Sequence, residues 1–318
     1  MREYVVRRLL LIPLIIIGVS FLTFMTFRVI PGDTTVFICG LGCTDEVIHD
    51  LRAELGLDRP VFVQYWDWLK GVPQGDLGRS FQTKLPVTKE LQTRFPVTLE
   101  LLILAVIFSL VLGIPPGILS AVRPGTAVDF VVRVVSVFWL SIPSFYIAIL
   151  MITFGASWFS WSPPNFATGE VASVFHNPLK NLEELVPPAI VLGVGIAAVI
   201  MRLTRSSMLE VMRNDYIRTA YSKGLKERAV VWRHALKNAM IPVATIIGLQ
   251  VGGLIGGSVL VESVFGLNGM GNYLVVAIGT RDLQVVQALV LIFATAFVLI
   301  NLIVDLAYAW LDPRIHYA

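Results

Sequence analysis

The chain has 318 residues, 56% hydrophobic and 15% charged, against about 45–50% apolar and about 25% charged in a typical soluble domain, which argues against a water-soluble fold. Its formal net charge of +3 is too small and too dispersed for a nucleic-acid surface. Two cysteines are too few for a disulfide-built scaffold.

A bilayer core about 30 Å thick needs about 20 apolar residues per helical span, because each backbone polar group must be satisfied within the helix. The N-terminus, Met1-Arg-Glu-Tyr-Val-Val-Arg-Arg, enters an apolar run of about that length with no small-x-small cleavage site, which reads as a retained first helix and not as a signal peptide. Six stretches are predicted to span: Leu9 to Val29, Val97 to Val122, Phe130 to Phe154, Val186 to Met201, Ile241 to Val261 and Val285 to Leu306. The fourth is the shortest; it opens with Pro187-Pro188 and carries Gly193 and Gly195. Pro115-Pro116 and Pro143 are expected to kink the second and third.

Residues Pro31 to Pro96, between the first two spans, read as a small folded cap. Val47, Ile48, Leu51 and Leu55 share one helical face between Thr44 and Gly56, and Phe62, Tyr65, Trp66 and Leu69 repeat the pattern between Pro60 and Gly71. Two short amphipathic helices are predicted. Cys39 and Cys43 could hold half a metal site, but the chain has no second pair; a local disulfide or two free thiols are the remaining readings.

Orientation follows from Lys and Arg placement in short connections, which stay in the cytoplasm. Arg2, Arg7 and Arg8 precede the first span, Arg123 and Arg133 flank the turn between the second and third, and Arg202 to Met240 holds nine basic residues against Glu210, Asp215 and Glu227. The connections after the third and fifth spans carry only Lys180 and Arg281 as basic residues. Both termini and segment 202–240 are therefore expected inside. The 31–96 segment is expected outside, since long loops largely escape the charge rule. The whole chain, 1–318, reads as one membrane domain, all-α and polytopic.

The missing chemistry narrows the function. No GxxxxGK[ST] phosphate loop occurs, so any ATP must be hydrolysed elsewhere. An ion-coupled transporter acting alone would place ionisable residues near the bilayer centre, whereas Glu262 and Asp305 lie toward the ends of their spans. All four histidines, His49, His176, His234 and His316, fall outside the spans, which argues against an intramembrane metalloprotease. Gly266-Leu-Asn-Gly269-Met-Gly271 has no preceding soluble strand and reads as a re-entrant or surface turn.

Between the fourth and fifth spans the chain reads Asn214-Asp-Tyr-Ile-Arg-Thr-Ala-Tyr-Ser-Lys-Gly224-Leu-Lys-Glu-Arg. Asn214 or Asp215 can cap a short helix, Gly224 can end it, and a second helix can start near Lys226. Ala220 and Gly224 are small enough to let another protein surface approach the backbone.

Here the chain resembles the permease subunits of type I ABC importers, specifically the B-type membrane subunit of the dipeptide and oligopeptide family. The peptide-importer signature, similar to Tyr-x-Arg-Thr-Ala-x-x-Lys-Gly, is matched by Tyr216, Arg218, Thr219, Ala220, Lys223 and Gly224. The general signature begins Glu-Ala-Ala, and there this chain departs, with Arg218-Thr219-Ala220; Pro242 also lies farther downstream of Gly224 than in that signature. Further matches are Arg28-Val-Ile-Pro-Gly-Asp33, Gly56-Leu-Asp-Arg-Pro60, Gly75-Asp-Leu-Gly-Arg-Ser-Phe81, Pro96-Val-Thr-Leu-Glu100, Ser141-Ile-Pro-Ser-Phe145 and Asp312-Pro-Arg314.

The resemblance implies a six-span permease fold in a prokaryotic inner membrane, with the segment around Gly224 as the coupling helix that docks on an ATPase. It implies as partners a second, C-type permease, two ATPase subunits or domains that use ATP and Mg, and an extracytoplasmic solute-binding protein. No cofactor is expected on this chain. Gly253 and Gly257, with Gly248, Gly252 and Gly256, read either as close helix packing or as a pathway lining. Gln250, Gln287 and Asn301 read either as interhelical hydrogen-bonding groups or as pathway contacts. Part of the basic 202–237 stretch suits anionic lipid.

Overall fold

The computed structural model describes residues 2–29, 34–39, 43–163 and 170–311, with side chains described for 10–26, 35, 36, 38, 43–163 and 170–304. The side chain of Cys39, the Ile30–Asp33 part of the first matched motif, Asp305 and Asp312-Pro-Arg314 lie outside the described residues or side chains. The described residues are helical throughout, apart from turns and one isolated bridge between Arg79 and Pro86. In chain order the helices are α1 (Arg2–Val29), α2 (Thr34–Cys39), α3 (Asp45–Glu54), α4 (Val61–Gly71), α5 (Val87–Val122), α6 (Ala127–Ser141), α7 (Ser144–Phe159), α8 (Pro178–Met212) and α9 (Asp215–Ser222). The short α10 (Glu227–Ala229) runs through a π-helical stretch, Val230–Ala235, into α11 (Leu236–Phe265); α12 (Met270–Gly279) and α13 (Leu283–Leu311) follow.

Among the described residues, four helices are long and apolar enough to cross a membrane: α5, α8, the Glu227–Phe265 run and α13; α6 with α7 makes a fifth if the bent pair is one span. Helix α1 is apolar over Leu10–Thr26. The fourth predicted stretch proves much longer than its apolar run, because its polar ends continue as helix to give the 35 residues of α8. Pro187 and Pro188 lie inside α8 without ending it, the loss being the two amides that would have bonded the carbonyls of Glu183 and Glu184. The third predicted stretch is broken and not merely kinked: α6 and α7 meet at 99°. Ile142, ahead of Pro143, takes extended backbone at φ −109°, ψ 124°, as the proline ring disfavours helical geometry in its predecessor. Pro115-Pro116, by contrast, lie within a continuous α5.

The chain forms two compact units. One comprises Leu99–Leu267 with the part of α13 from Leu299; the other comprises Arg2–Thr98 with Asn268–Val298. In the first, α8 is central: 67% of its apolar window is buried within the chain, against 33% for the other spans. Small residues permit this. A Cβ on Gly113 of α5 would sit 2.8 Å from Ile200 and 2.9 Å from the Ala197 carbonyl, and one on Gly117 would sit 2.7 Å from the Met201 carbonyl. Gly113 and Gly117 are a GxxxG pair, and they let the two backbones approach where lipid supplies no hydrophobic driving force.

In the second unit, α4 docks on α1. Tyr65 shares a 2.8 Å hydrogen bond with Ser20 and stacks edge-on against Phe21 at 5.4 Å. Its neighbour Trp68 is buried and donates to the Leu77 carbonyl at 3.3 Å. The inward face of α4 is thus Tyr65 and Trp68, whereas the expected members Phe62 and Trp66 are exposed. Helix α3 buries none of its residues. A second cluster packs Val87 and Leu91 of α5 against Met270, Tyr273 and Ala277 of α12 and Val285, Val286 and Leu289 of α13.

Candidate functional site

The segment that links α8 to α11 is built as an anchored bracket. Ile217 and Ala220, three apart and so on one face of α9, pack into a core with Met208 of α8, Ile118 and Ala121 of α5, and Val230, Val231 and Ala235 of the π-helical stretch. The opposite face is open: Tyr216, Arg218, Thr219 and Lys223 are exposed, as are Tyr221 and Leu225 beside them. Arg218 pairs with Asp215 at 3.7 Å in full contact with solvent, an interaction worth little. Asn214 occupies the N-cap position without a side-chain bond. Asn238 of α11 donates to the Tyr216 hydroxyl at 3.0 Å.

The end of α9 explains Gly224. The Gly224 amide donates to the Tyr221 carbonyl at 2.9 Å and the Leu225 amide to the Ala220 carbonyl at 3.4 Å, the paired reverse bonds of a Schellman cap, which requires left-handed backbone at its turning residue. Gly224 has φ +76°, and a Cβ there would meet nothing within 4 Å. Within this chain, glycine is therefore required by conformation and not by crowding.

Above this bracket lies a buried ion pair that the sequence did not reveal. Arg205 of α8 donates from Nε to Asp129 Oδ1 at 2.6 Å and from Nη2 to Oδ2 at 3.0 Å. The Ser120 hydroxyl donates to the same carboxylate at 2.6 Å, and the Gly125 amide at 3.0 Å. One carboxylate thus ties the end of α5, the α5–α6 turn, the start of α6 and α8. In the sequence, Arg205 is one basic residue among nine, and its partner stands 76 positions away.

The residues expected along a pathway separate by environment. Gln250, Gly253 and Gly257 share one face of α11 by their spacing. Gly253 is exposed with open space around a Cβ, as is Gly256, whereas a Cβ on Gly257 would lie 3.0 Å from Leu192 of α8 and one on Gly248 would overlap Val304 of α13. Small residues on α11 serve packing at Gly248 and Gly257, while Gly253 and Gly256 leave an uncovered strip. Gln250 and Asn301 are half-buried, and Gln287 is buried in the second unit.

In that unit the stretch Gly75–Phe81 turns through left-handed Gly75 and Gly78, at φ +79° and +89°. It presents Ser80, which donates to the buried Asp282 at 2.5 Å. Asp282 also accepts from the Gln82 amide and, as N-cap of α13, from the Val285 amide. Nearby, Arg94 pairs with Glu90 at 3.1 Å, donates to the Asn268 side-chain carbonyl and lies 4.1 Å from the centre of the Tyr273 ring. Burial pushes the Tyr273 phenol up to about 12, so the ring under the guanidinium stays neutral, the state that favours cation–π attraction. A cavity of about 350 Å³ opens here, lined among others by Gln82, Arg94, Asn272, Tyr273 and Asp282. Helix α12 follows the glycine-rich turn at Gly266 and had no counterpart among the predicted elements.

Comparison with known proteins gives this architecture a family. Residues 113–317 match the family described as binding-protein-dependent transport system inner membrane component, and residues 1–102 match the N-terminal region of such membrane components. The chain is 39% identical over 333 residues to the dipeptide transport system permease protein DppB of Alkalihalophilus pseudofirmus, covering all of both chains. It is 40% identical over 340 residues to the DppB of Escherichia coli strain K12, covering 100% of this chain and 99% of the relative. Against the glutathione transport system permease protein GsiC of the same strain the identity is 39% over 318 residues, covering all of both. With matches that run the length of the chain and a helical membrane architecture to carry them, the protein belongs to the inner-membrane components of binding-protein-dependent, ABC-type transport systems.

Proposed function

We propose that this chain is a permease subunit of an ATP-driven importer of di- or oligopeptides, and that α9 is the helix through which partner ATPases drive it. The observation that carries the reading is the bracket around α9. Ile217 and Ala220 fix the helix to α5, α8 and α11 while Tyr216, Arg218, Thr219 and Lys223 remain free to meet another protein. A docked ATPase that moves α9 therefore moves a packed core, not a loose loop. ATP and Mg belong to that partner; no step of hydrolysis falls on this chain. A nucleotide or loaded binding protein shifts the inward–outward equilibrium only by its differential affinity for the two states.

The assembly we infer pairs this chain with a C-type permease, two ATPase subunits or domains and an extracytoplasmic solute-binding protein. The chain crosses the membrane six times, with α1 and the α6–α7 pair each counted as one span, and both termini and the 202–240 bracket are cytoplasmic. Peptide as cargo is supported by the dipeptide and glutathione permeases among its relatives. The uncovered strip of α11 at Gly253 and Gly256, with Gln250 on the face of Gly253, is assigned to the pathway or to the second permease. Cys39 and Cys43 are assigned to a local disulfide at the start of the outer segment; mass mapping without reductant tests it, and two free thiols would refute it. The functional test is reconstitution: ATP-dependent dipeptide uptake only when the ATPases, the second permease and a binding protein are present. Uptake by this chain alone under an ion gradient would instead establish an ion-coupled transporter.

A further inference from the structure

We propose that the α5–α6 turn and the outward strip of α6 form a site for an anionic phospholipid of the cytoplasmic leaflet, with Arg123 and Arg133 on its phosphate and Phe130, Val134 and Val137 against its acyl chains. The leaflet rests on the cytoplasmic placement of this end of the chain inferred above; the ligand is an addition to that reading.

Asp129 is one carboxylate facing two arginines. Its Oδ1 accepts from Arg205 Nε at 2.6 Å and lies 3.7 Å from Arg133 Nε. Arg205 takes both good positions on the carboxylate, and the Ser120 hydroxyl and Gly125 amide fill the rest. Arg133, outside hydrogen-bond length and with 53% of its side chain exposed, is left with its charge uncompensated. Arg123, in the turn that supplies the Gly125 amide, and Arg202, three residues before Arg205 on α8, are exposed and form no ion pair among the described residues. Glu210, the next acidic residue along α8, stands five positions past Arg205 and so off its face by helical spacing. The turn, the start of α6 and the facing stretch of α8 thus carry four arginines and one carboxylate, a surplus of positive charge.

The surface around that charge selects a lipid. Phe130, Arg133, Val134 and Val137 follow the i, i+3, i+4, i+7 spacing and share one strip of α6, and all four are exposed. From Ala127 to Leu140, every exposed side chain of α6 other than Arg133 is apolar. Such a strip is costly against water but not against acyl chains, and an arginine within it carries its charge to the headgroup level on its own apolar stem. A phosphodiester between Arg123 and Arg133 supplies the countercharge that the chain leaves open, and its esterified chains cover Val134 and Val137. Free phosphate would answer the charge and leave the strip bare; a phospholipid answers both.

The test uses the complete transporter in nanodiscs of equal phosphatidylcholine and phosphatidylglycerol, with the photo-crosslinker p-benzoylphenylalanine in place of Val137 and the lipid adducts identified by mass. Phosphatidylglycerol is expected to exceed phosphatidylcholine at least about fivefold, the effect of one basic residue near an anionic headgroup. The same crosslinker in place of Phe154, exposed on the uncharged α7, is expected to give a ratio of about one. Arg123→Gln combined with Arg133→Gln is expected to bring the Val137 ratio to about one as well, Arg133→Lys alone to keep the enrichment. The melting temperature of the double variant in neutral detergent is expected to stay unchanged, since Arg205, Ser120 and Gly125 still hold Asp129. Equal enrichment at both crosslinker positions, an adduct with the second permease or an ATPase instead of lipid, or a destabilised double variant would each overturn the site. Loss of the enrichment in excess inorganic phosphate would make free phosphate the ligand and overturn it too. Labelling of Pro124→Cys from outside intact cells, in a Cys39→Ser and Cys43→Ser background, would refute the cytoplasmic placement while leaving the enrichment standing, so the two failures are separate.

Discussion

Arg205 of α8 grips Asp129 of α6 through two parallel hydrogen bonds, 2.6 and 3.0 Å long. The carboxylate is 2% exposed in its side chain while the guanidinium keeps 22%. Breaking a buried pair by deleting one partner strands the other charge, whereas replacing both with apolar groups relieves it. Arg205→Met is therefore expected to cost about 3 kcal/mol, toward the lower end of such losses, because the exposed Arg133 remains 3.7 Å from Asp129. The double variant Asp129→Leu with Arg205→Met should lose less than Arg205→Met alone. Thermal melts of the detergent-solubilised chain decide it: a double variant no more stable than the single would show that the pair is not the dominant contact there.

The two glycine sets make opposite predictions. Gly113→Val and Gly117→Val drive a side chain into the α8 backbone, and overpacking of this kind costs about 1–3 kcal/mol or more, so membrane-inserted yield should fall. Gly253→Leu meets open space and should leave yield unchanged while lowering transport, if the strip on α11 lines the pathway or the second permease. Equal yields and equal transport for Gly253→Leu and the unmodified chain would remove α11 from that role.

Ser80 and Asp282 predict a local effect. Asp282→Ala removes an N-cap, worth about 0.5–2 kcal/mol, and also releases the Ser80–Thr83 turn. Faster proteolysis within residues 79–86, with segment 202–240 unaffected, is the expected outcome. Uniform sensitivity along the chain would show instead a global loss of fold.

Much of the architecture was legible in the residues because lipid imposes one rule, an apolar helix, and four of the six predicted stretches lie in helices long and apolar enough to cross, with the third in a bent pair. Boundaries were less so. Helix α5 begins at Val87 and α8 at Pro178, since polar ends continue a helix without an apolar signal. Pro143 was read as a kink, yet the break depends on Ile142 adopting extended backbone, which proline biases but tertiary packing fixes. On α4, Phe62 and Trp66 were assigned inward from helical spacing, but spacing gives the members of a face and not the orientation that Ser20 and Phe21 impose. The helix, turn and restart around Gly224 could be read directly, because a Schellman cap is local chemistry. The Asp129–Arg205 pair and the Tyr273 cavity join residues far apart in the chain, and no local pattern announces either.

The account stands or falls on Gly224. Asparagine tolerates left-handed backbone better than other non-glycine residues, so Gly224→Asn carries the conformational change without bulk and is expected to retain most activity. Gly224→Trp adds volume at a point where this chain has none to obstruct it, so insertion and expression should persist, at a local backbone cost of about 1–2 kcal/mol. The direct measurement is ATP-dependent dipeptide uptake and ATPase activity in proteoliposomes holding the full complex. The account predicts at least about a tenfold loss of uptake for Gly224→Trp, equivalent to about 1.4 kcal/mol of coupling, together with weakened ATPase association. A Gly224→Trp complex that assembles and transports like the unmodified one would contradict it.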